Sequence, residues 1–394
     1  MSLFDKFRPL AEARDGLANR DVAPLATPIE DIESAAEGTI GGRSVVLAGT
    51  NNYLGLTLEP DVITAAREAL EHYGTGTTGS RMANGSYHLH QSLERDLADA
   101  YDWPSAIVFS TGYQANLATI SALAGRDDPL LLDSDSHASI YDGARLGHAE
   151  TTVFRHNDPD NLDRRLTRLG EHASRALIVV EGLYSMLGDQ PPLAEFIEVK
   201  RRHNAWLLLD EAHSFGVFGR HGLGLAEQLD LLDGVDFIVG TFSKSLGSIG
   251  GFCVSPHAEL ELLRLAARPY IFTASPSPAV IAGTRVALKK IIEEQHRRDR
   301  LWRHINRLYA TLNDLGYTLG SPDPGPVAAI ILNSREQALA HWQGLLDAGV
   351  YANLMLPPAT PKGLALLRIS LSAAHTDEHL DRICDAFGQL QKAA

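Results

Sequence analysis

Cysteine is nearly missing from this chain: Cys253 and Cys384 are the only two in 394 residues. They stand far apart and form no CxxC pattern, which excludes a zinc framework and a disulfide-stapled fold and fits a reducing compartment. Both read as packed thiols. Long hydrophobic runs are missing too, since no stretch reaches the roughly 20 apolar residues of a membrane span. The first ten residues carry Asp5, Lys6 and Arg8 and hold no apolar core of a signal peptide. A cytoplasmic location is expected, and any membrane contact would be made from the surface or through an amphiphilic ligand. Positive charge is in deficit: 35 Lys and Arg against 49 Asp and Glu leave a formal charge of -14. That balance excludes an extended basic surface, and with it nucleic acid as a general partner. Internal repeats and low-complexity tracts are absent. The remainder, 44% apolar and 21% charged, is the make-up of a globular enzyme.

Short apolar runs alternate with helical patterns. Ala106 to Phe109, Pro129 to Leu132, Ala176 to Val180, Ala205 to Leu209, Val235 to Val239 and Gly251 to Val254 read as strands. Helical periodicity lies between most of them, as in Leu193 to Arg202, which predicts an α/β fold whose mainly parallel sheet is covered on both faces. Ser277 to about Leu315 reads as one long helix with Glu293, Glu294, Arg297, Arg298 and Arg300 on its exposed face. Beyond it comes a smaller α+β segment with strands at Val327 to Leu332 and Leu366 to Ser370, and a loop at Ser321 to Pro326. The expected division is an N-terminal segment 1–48, a large α/β domain 49–276 and a small α+β domain 277–394.

In sheets of this kind ligands collect at the carboxyl ends of the strands. Thr241-Phe242-Ser243-Lys244-Ser245-Leu246-Gly247 follows one strand and ends it on a lysine, while Asp210-Glu211-Ala212-His213 ends another on an acid and a histidine. Pyridoxal 5'-phosphate (PLP) needs this set. A buried amine loses its proton because burial disfavours its charge, so Lys244 is the candidate for a Schiff base with an aldehyde. A carboxylate against the pyridine nitrogen keeps that ring protonated and able to draw in the electrons of a carbanion, and Asp210 suits the task. A lysine after an apolar run is by itself an ordinary strand end; the combination argues for the cofactor. Ser110-Thr111-Gly112-Tyr113-Gln114-Ala115-Asn116 follows a strand and opens a helix, so the N–H groups of Gly112 and Tyr113 could hold a phosphate, the plain alternative being a helix cap. His137, after the strand that ends near Asp133, could stack on a flat ring or simply face solvent. Ser185, in the turn Glu181 to Asp189, could hydrogen-bond a phenolic oxygen.

Three rival motifs fail on context. Asp210-Glu211-Ala212-His213 also spells the acidic box of a helicase-type NTPase, but no GxxxxGK[ST] loop lies upstream. Gly74-Thr75-Gly76-Thr77-Thr78-Gly79 matches GxGxxG, yet it follows the helical pattern Val62 to Tyr73 where a dinucleotide site follows a strand. It reads as a flexible loop near the active site. His88 and His90 form an HxH pair with no third ligand nearby, so no metal is expected.

Together the motifs resemble the α-oxoamine synthase family of PLP-dependent, aminotransferase-like fold type I enzymes, from Asn51-Asn52-Tyr53-Leu54-Gly55 to Leu367-Arg368-Ile369-Ser370. Three segments resemble the bacterial serine palmitoyltransferase branch: Gly79 to Ser86, Arg268 to Ser275 and Pro357 to Pro361. The resemblance implies a seven-stranded-type, mainly parallel sheet, Lys244 as the cofactor lysine and His137 stacked on the ring. It gives Asp210 the ring nitrogen, and His213 with Ser185 the phenolic side. Gly112, Tyr113 and Thr241 would bind the phosphate, and Thr273 with Ser275 would reach it from the other subunit of a homodimer. Arg368 would grip the amino-acid carboxylate, with Asn52 close to the substrate. The implied reaction joins L-serine to a long-chain acyl-CoA, or an acyl carrier protein thioester, giving 3-oxosphinganine. One departure bears on the amino acid: some members carry arginine where this chain has Leu356. Sister activities on glycine or alanine use the same residues, so 2-amino-3-oxobutyrate ligase and 8-amino-7-oxononanoate synthase stay open. An aminotransferase is the next class away. A non-catalytic subunit is disfavoured by the presence of Lys244, His137 and Asp210.

Overall fold

Strands buried on both faces need continuous apolar sequence, and the centre of the molecule is built from such strands. The structure, a computed structural model, describes residues 2–15, 17, 23–357 and 359–393; Pro358 of the run Pro357 to Pro361 lies outside the described residues. The chain enters through β1 (Asp31–Ile32), β2 (Glu37–Ile40) and β3 (Arg43–Leu47). A two-residue turn at Gly41-Gly42, both with positive φ, joins β2 to β3 as an antiparallel hairpin. The central strands follow: β4 (Ser105–Phe109), β5 (Leu130–Asp133), β6 (Thr151–Phe154), β7 (Leu177–Glu181), β8 (Trp206–Asp210), β9 (Phe237–Thr241) and β10 (Gly251–Ser255). They form one seven-stranded sheet in the order β4-β10-β9-β8-β7-β5-β6. Pairing is parallel throughout except at β10, which runs antiparallel to both β4 and β9.

All six strands read from apolar runs are present within one or two residues of the expected bounds. The seventh, β6, has one buried residue, Phe154, among four. It is the sheet's edge and needs no apolar run, which is why the sequence did not betray it.

The C-terminal region contributes β11 (Thr318–Leu319), β12 (Val327–Leu332), β13 (Val350–Tyr351), β14 (Asn353–Met355) and β15 (Ala365–Ser370). Four of these make an antiparallel sheet, β11-β12-β15-β14, and β13 joins β3 in parallel. The expected long helix is two, Pro278–Glu293 and Gln295–Asp314, broken where Glu294 takes φ -100 and ψ 63. Its expected charged face needs correction as well. Glu293 and Arg300 are exposed, but Arg298 is buried. The Arg298 guanidinium donates to the carbonyls of Ile291 and Arg220 and to Gln295 Oε1, so the charge closes the break in the helix.

Candidate active site

A cavity of about 380 Å³ opens at the carboxyl ends of β7, β8 and β9, the place where loops and helix starts converge on a parallel sheet. Its wall includes Gly112, Tyr113, Asn116, His137, Glu181, Asp210, His213, Thr241 and Lys244. The sequence thus anticipated seven of these nine positions. Thr111 caps the helix Gly112–Leu123, its Oγ1 accepting from Gln114 N at 3.0 Å. The cap leaves the earlier N–H groups pointing at the cavity with the helix dipole behind them. Gly112 has to be glycine here: a Cβ on it would stand 2.7 Å from Thr241 Oγ1.

Lys244 follows β9 on a turn closed by Gly247, which has φ +60 and whose N–H reaches the Lys244 carbonyl at 2.9 Å. Half-exposed into the cavity yet enclosed by protein, its amine is pushed down to about 8 by burial, with the Arg368 charge acting the same way against the opposing pull of Asp210 and Glu181. Asp210 is fixed on both oxygens, accepting from Asn116 Nδ2 at 2.7 Å and from Ala212 N at 2.9 Å. His137 caps the next helix through Ser139 N and lies open at the cavity, its imidazole held below its usual pKa by burial and by Lys244 against the pull of Asp210.

His213 is buried and neutral, driven well below its ordinary pKa by burial and by the charges of Lys244, Arg368 and His137. Its Nδ1 lies 2.7 Å from the hydroxyl of Tyr53. Burial pushes the Tyr53 phenol up to about 12, so it keeps its proton. The same hydroxyl lies 3.4 Å from Asn51 Oδ1, and the Arg368 charge acts on it to lower its pKa against the effect of burial. Arg368 Nη2 donates to Asn51 Oδ1 at 3.0 Å, and its Nε has no partner. A guanidinium with an unused donor has the geometry to pair with a carboxylate. Asn52, the residue after Asn51, is buried, donating to Thr57 Oγ1 at 2.8 Å while its Oδ1 stays unpartnered.

Five expected residues stand outside the cavity wall, Arg368 among them, and a sixth lines it but turns its side chain elsewhere. Ser185 is half-buried in the turn after β7 and does not line the cavity. Thr273 accepts from Gln114 Nε2 at 2.9 Å, and Ser275 shares a 2.6 Å hydrogen bond with Thr77. Asn52 is likewise absent from the wall. Tyr113 lines it, with its hydroxyl turned outward to Asp142. Residues 74–79 form a loop, as expected. His90 is buried with Nδ1 accepting from Tyr87 N and Nε2 near the Pro276 carbonyl, which accounts for one member of the HxH pair without a metal.

Three contributors had no role assigned from sequence. Asn116 and Tyr53 sit inside recognised motifs, but only the fold brings them to Asp210 and His213. Glu181 ends β7 in full burial, accepts from His137 N, and is held well above its usual pKa by burial and by Asp210. An acid closing the apolar run Leu177–Val180 was the available signal.

The model of the aminotransferase class I and II family matches residues 43–387. The chain belongs to that family, on its α-oxoamine synthase branch. Serine palmitoyltransferase of Caulobacter vibrioides is 52% identical over all of this chain and 97% of its own length. Among solved structures, serine palmitoyltransferase of S. paucimobilis, with a PLP–myriocin adduct bound, superposes with a TM-score of 0.97 at 46% identity, covering 100% of this chain and 99% of that one. The Sphingomonas wittichii serine palmitoyltransferase gives 0.97 at 48% identity with the same coverage. The family's fold is the one described above, with its mixed sheet and flanking helices.

Proposed function

We propose that the cavity holds PLP on Lys244 and that the chain is a serine C-palmitoyltransferase, joining L-serine to a long-chain acyl-CoA. The carrying observation is a buried amine at about 8 facing a doubly anchored carboxylate across one cavity. The residues fit the cofactor. Gly112 leaves room beside Thr241 for a phosphate at the helix start, and the Asn116 Oδ1 left without a partner marks a polar wall made for a polar guest. Gly112, Tyr113 and Thr241 would hold the phosphate, Asp210 the ring nitrogen, His137 the ring face, and His213 with Ser185 the phenolic oxygen.

PLP would supply an electron sink for a carbanion at serine Cα. The chain's own groups do the rest. Arg368 binds the serine carboxylate with Asn52 close to the substrate, and Asn51 holds the guanidinium in place. Lys244 Nζ, once free of the cofactor, removes the Cα proton as general base, a task its lowered pKa suits near neutral pH. In the overall reaction, serine Cα bonds to the acyl carbonyl carbon, the C–S bond breaks with loss of CoA, and the Cα carboxylate leaves as carbon dioxide. Reprotonation at Cα gives 3-oxosphinganine. Leu356 packs on the core at the edge of a separate groove with Leu354 and Leu364. That placement supports Arg368 as the guanidinium that meets the carboxylate.

A homodimer is part of this reading. Ile249 lines the cavity yet is 53% exposed in the single chain, and Phe272, beside Thr273, is 71% exposed. Both suit burial against a second copy, whose Thr273 and Ser275 would then approach this cavity. Among the described residues no helix is long and apolar enough to cross a membrane. The unbridged Cys253 and Cys384 support a reducing, cytoplasmic setting.

The test is product analysis by mass spectrometry after PLP-loaded protein meets L-serine and palmitoyl-CoA. The expected outcome is 3-oxosphinganine with one CoA released per product. Product from glycine or alanine alone would move the chain to a sister synthase, and amino transfer to a keto acid without CoA release would make it an aminotransferase.

A further inference from the structure

A second polar cluster lies behind the cavity wall and takes no part in the chemistry above. His156, just after the edge strand β6, reaches inward with both ring nitrogens: Nδ1 is 2.7 Å from Asp133 Oδ1 and Nε2 is 2.6 Å from Asp189 Oδ2. Asp133 is fully buried at the end of β5, and Asp189 closes the turn that begins at Glu181. Asn157 repeats the bridge, its N–H on Asp133 Oδ2 at 2.9 Å and its Nδ2 on Asp189 Oδ2 at 2.9 Å. The Tyr184 ring meets the imidazole edge to face at 4.5 Å. Two carboxylates on one ring require a hydrogen on each nitrogen, so the ring is an imidazolium.

The two carboxylates belong to the two segments that carry proposed cofactor residues. Asp133 starts the loop to His137, accepting from Asp135 N at 2.9 Å, and Asp189 ends the turn that holds Ser185. We propose that His156 is a positioning residue, a charged strap that fixes the His137 loop to the Ser185 turn and so sets the geometry of the cofactor cavity. It rests on the reading of His137 and Ser185 given above. Asp133, Asp135 and His156 lie close enough together to suggest a metal site, but both nitrogens of His156 are already engaged by carboxylates. The titratable groups that face the ring are Asp133 and Asp135 after β5, and Asp189 and Tyr184 after β7.

The first test needs no cofactor. In ¹⁵N-edited spectra of the cofactor-free protein at pH 8, His156 is expected to show two protonated ring nitrogens; a neutral ring at that pH overturns the proposal. The second uses His156→Gln and Asp189→Asn, each loaded with PLP. Misplacing a reacting group by about 1 Å costs on the order of 10²-fold, so kcat is expected to fall by about that factor, with a shift in the cofactor's visible absorption recorded well below the melting temperature. A role confined to stability would lower the melting temperature and leave the absorption and kcat of folded protein unchanged, and that result also overturns the proposal. If His156→Gln fails to fold, the ring spectrum of the unaltered protein and the Asp189→Asn absorption decide. Wild-type protein that does not take up PLP at all would refute the functional reading instead, a failure distinct from either of these.

Discussion

Two partly buried cationic groups at the carboxyl edge of one sheet are driven in opposite directions. His156 is pushed up to about 10, its burial overcome by hydrogen bonds to Asp133 and Asp189, while Lys244 is pushed down to about 8 by burial. The difference lies in contact. Carboxylates hydrogen-bonded to both ring nitrogens lock the proton on His156, whereas Asp210 and Glu181 act on Lys244 only through their charge and Arg368 works against them. One group is a fixed part of the scaffold and the other is an amine ready to react. The comparison teaches that burial alone does not mark a reactive group; how closely its counter-charges bind it does.

The largest break in this comparison comes from Lys244→Ala. Removing the reacting amine is expected to cost at least the 10²–10⁴-fold typical of a lost general base, with PLP still binding non-covalently; steady-state kinetics alongside the cofactor spectrum check both. Asp210→Ala comes next. It removes the acceptor that Asn116 and Ala212 hold in place, and a loss of roughly 10²-fold in kcat is expected from the missing charge stabilisation, while the lysine still captures the cofactor. Normal turnover in this variant would contradict the role given to Asp210. A smaller effect is expected of Arg368→Lys, which keeps a charge but loses the planar fork. KM for L-serine should rise by about tenfold, the equivalent of roughly 1.4 kcal/mol, with a smaller change in kcat.

Much of this site was legible because its residues end strands. Lys244, Asp210, Gly112 and His137 each follow an apolar run, so a strand reading places them at one sheet edge. What escaped was contact across long separations. Tyr53 meets His213 only because the loop after β3 packs against the segment after β8, and no local pattern announces that. Arg298 escaped for another reason: its neighbours Arg297 and Arg300 look like a solvated stripe, yet it falls on the buried face of its helix, in helical spacing with Leu301, Ile305 and Leu308. The edge strand β6 was silent because a strand with one buried residue carries no apolar run.

The smallest effect, and the sharpest for the comparison, is on stability against pH in the cofactor-free protein. The folded pKa of His156 lies above its ordinary 6.5, so its contribution is full below about 6.5 and is lost as pH rises through about 10. Lys244 has a folded pKa below its ordinary 10.5, so its buried charge is a penalty at low pH that is relieved as pH rises from about 8 to 10.5. His156→Gln should therefore remove a falling component from the pH profile, and Lys244→Met a rising one, as read by denaturant titration at a series of pH values. Changes of the same sign in both variants would break the comparison.

Lys244 is proposed to present a PLP-bearing cavity selective for serine. The most direct test is the visible absorption spectrum of the PLP-loaded protein during separate titrations with L-serine, glycine and L-alanine. The account predicts a yellow protein whose spectrum responds to L-serine at lower concentration than to the other two. A colourless protein that cannot be reconstituted with PLP, or a spectrum that answers glycine or alanine and not serine, would contradict it.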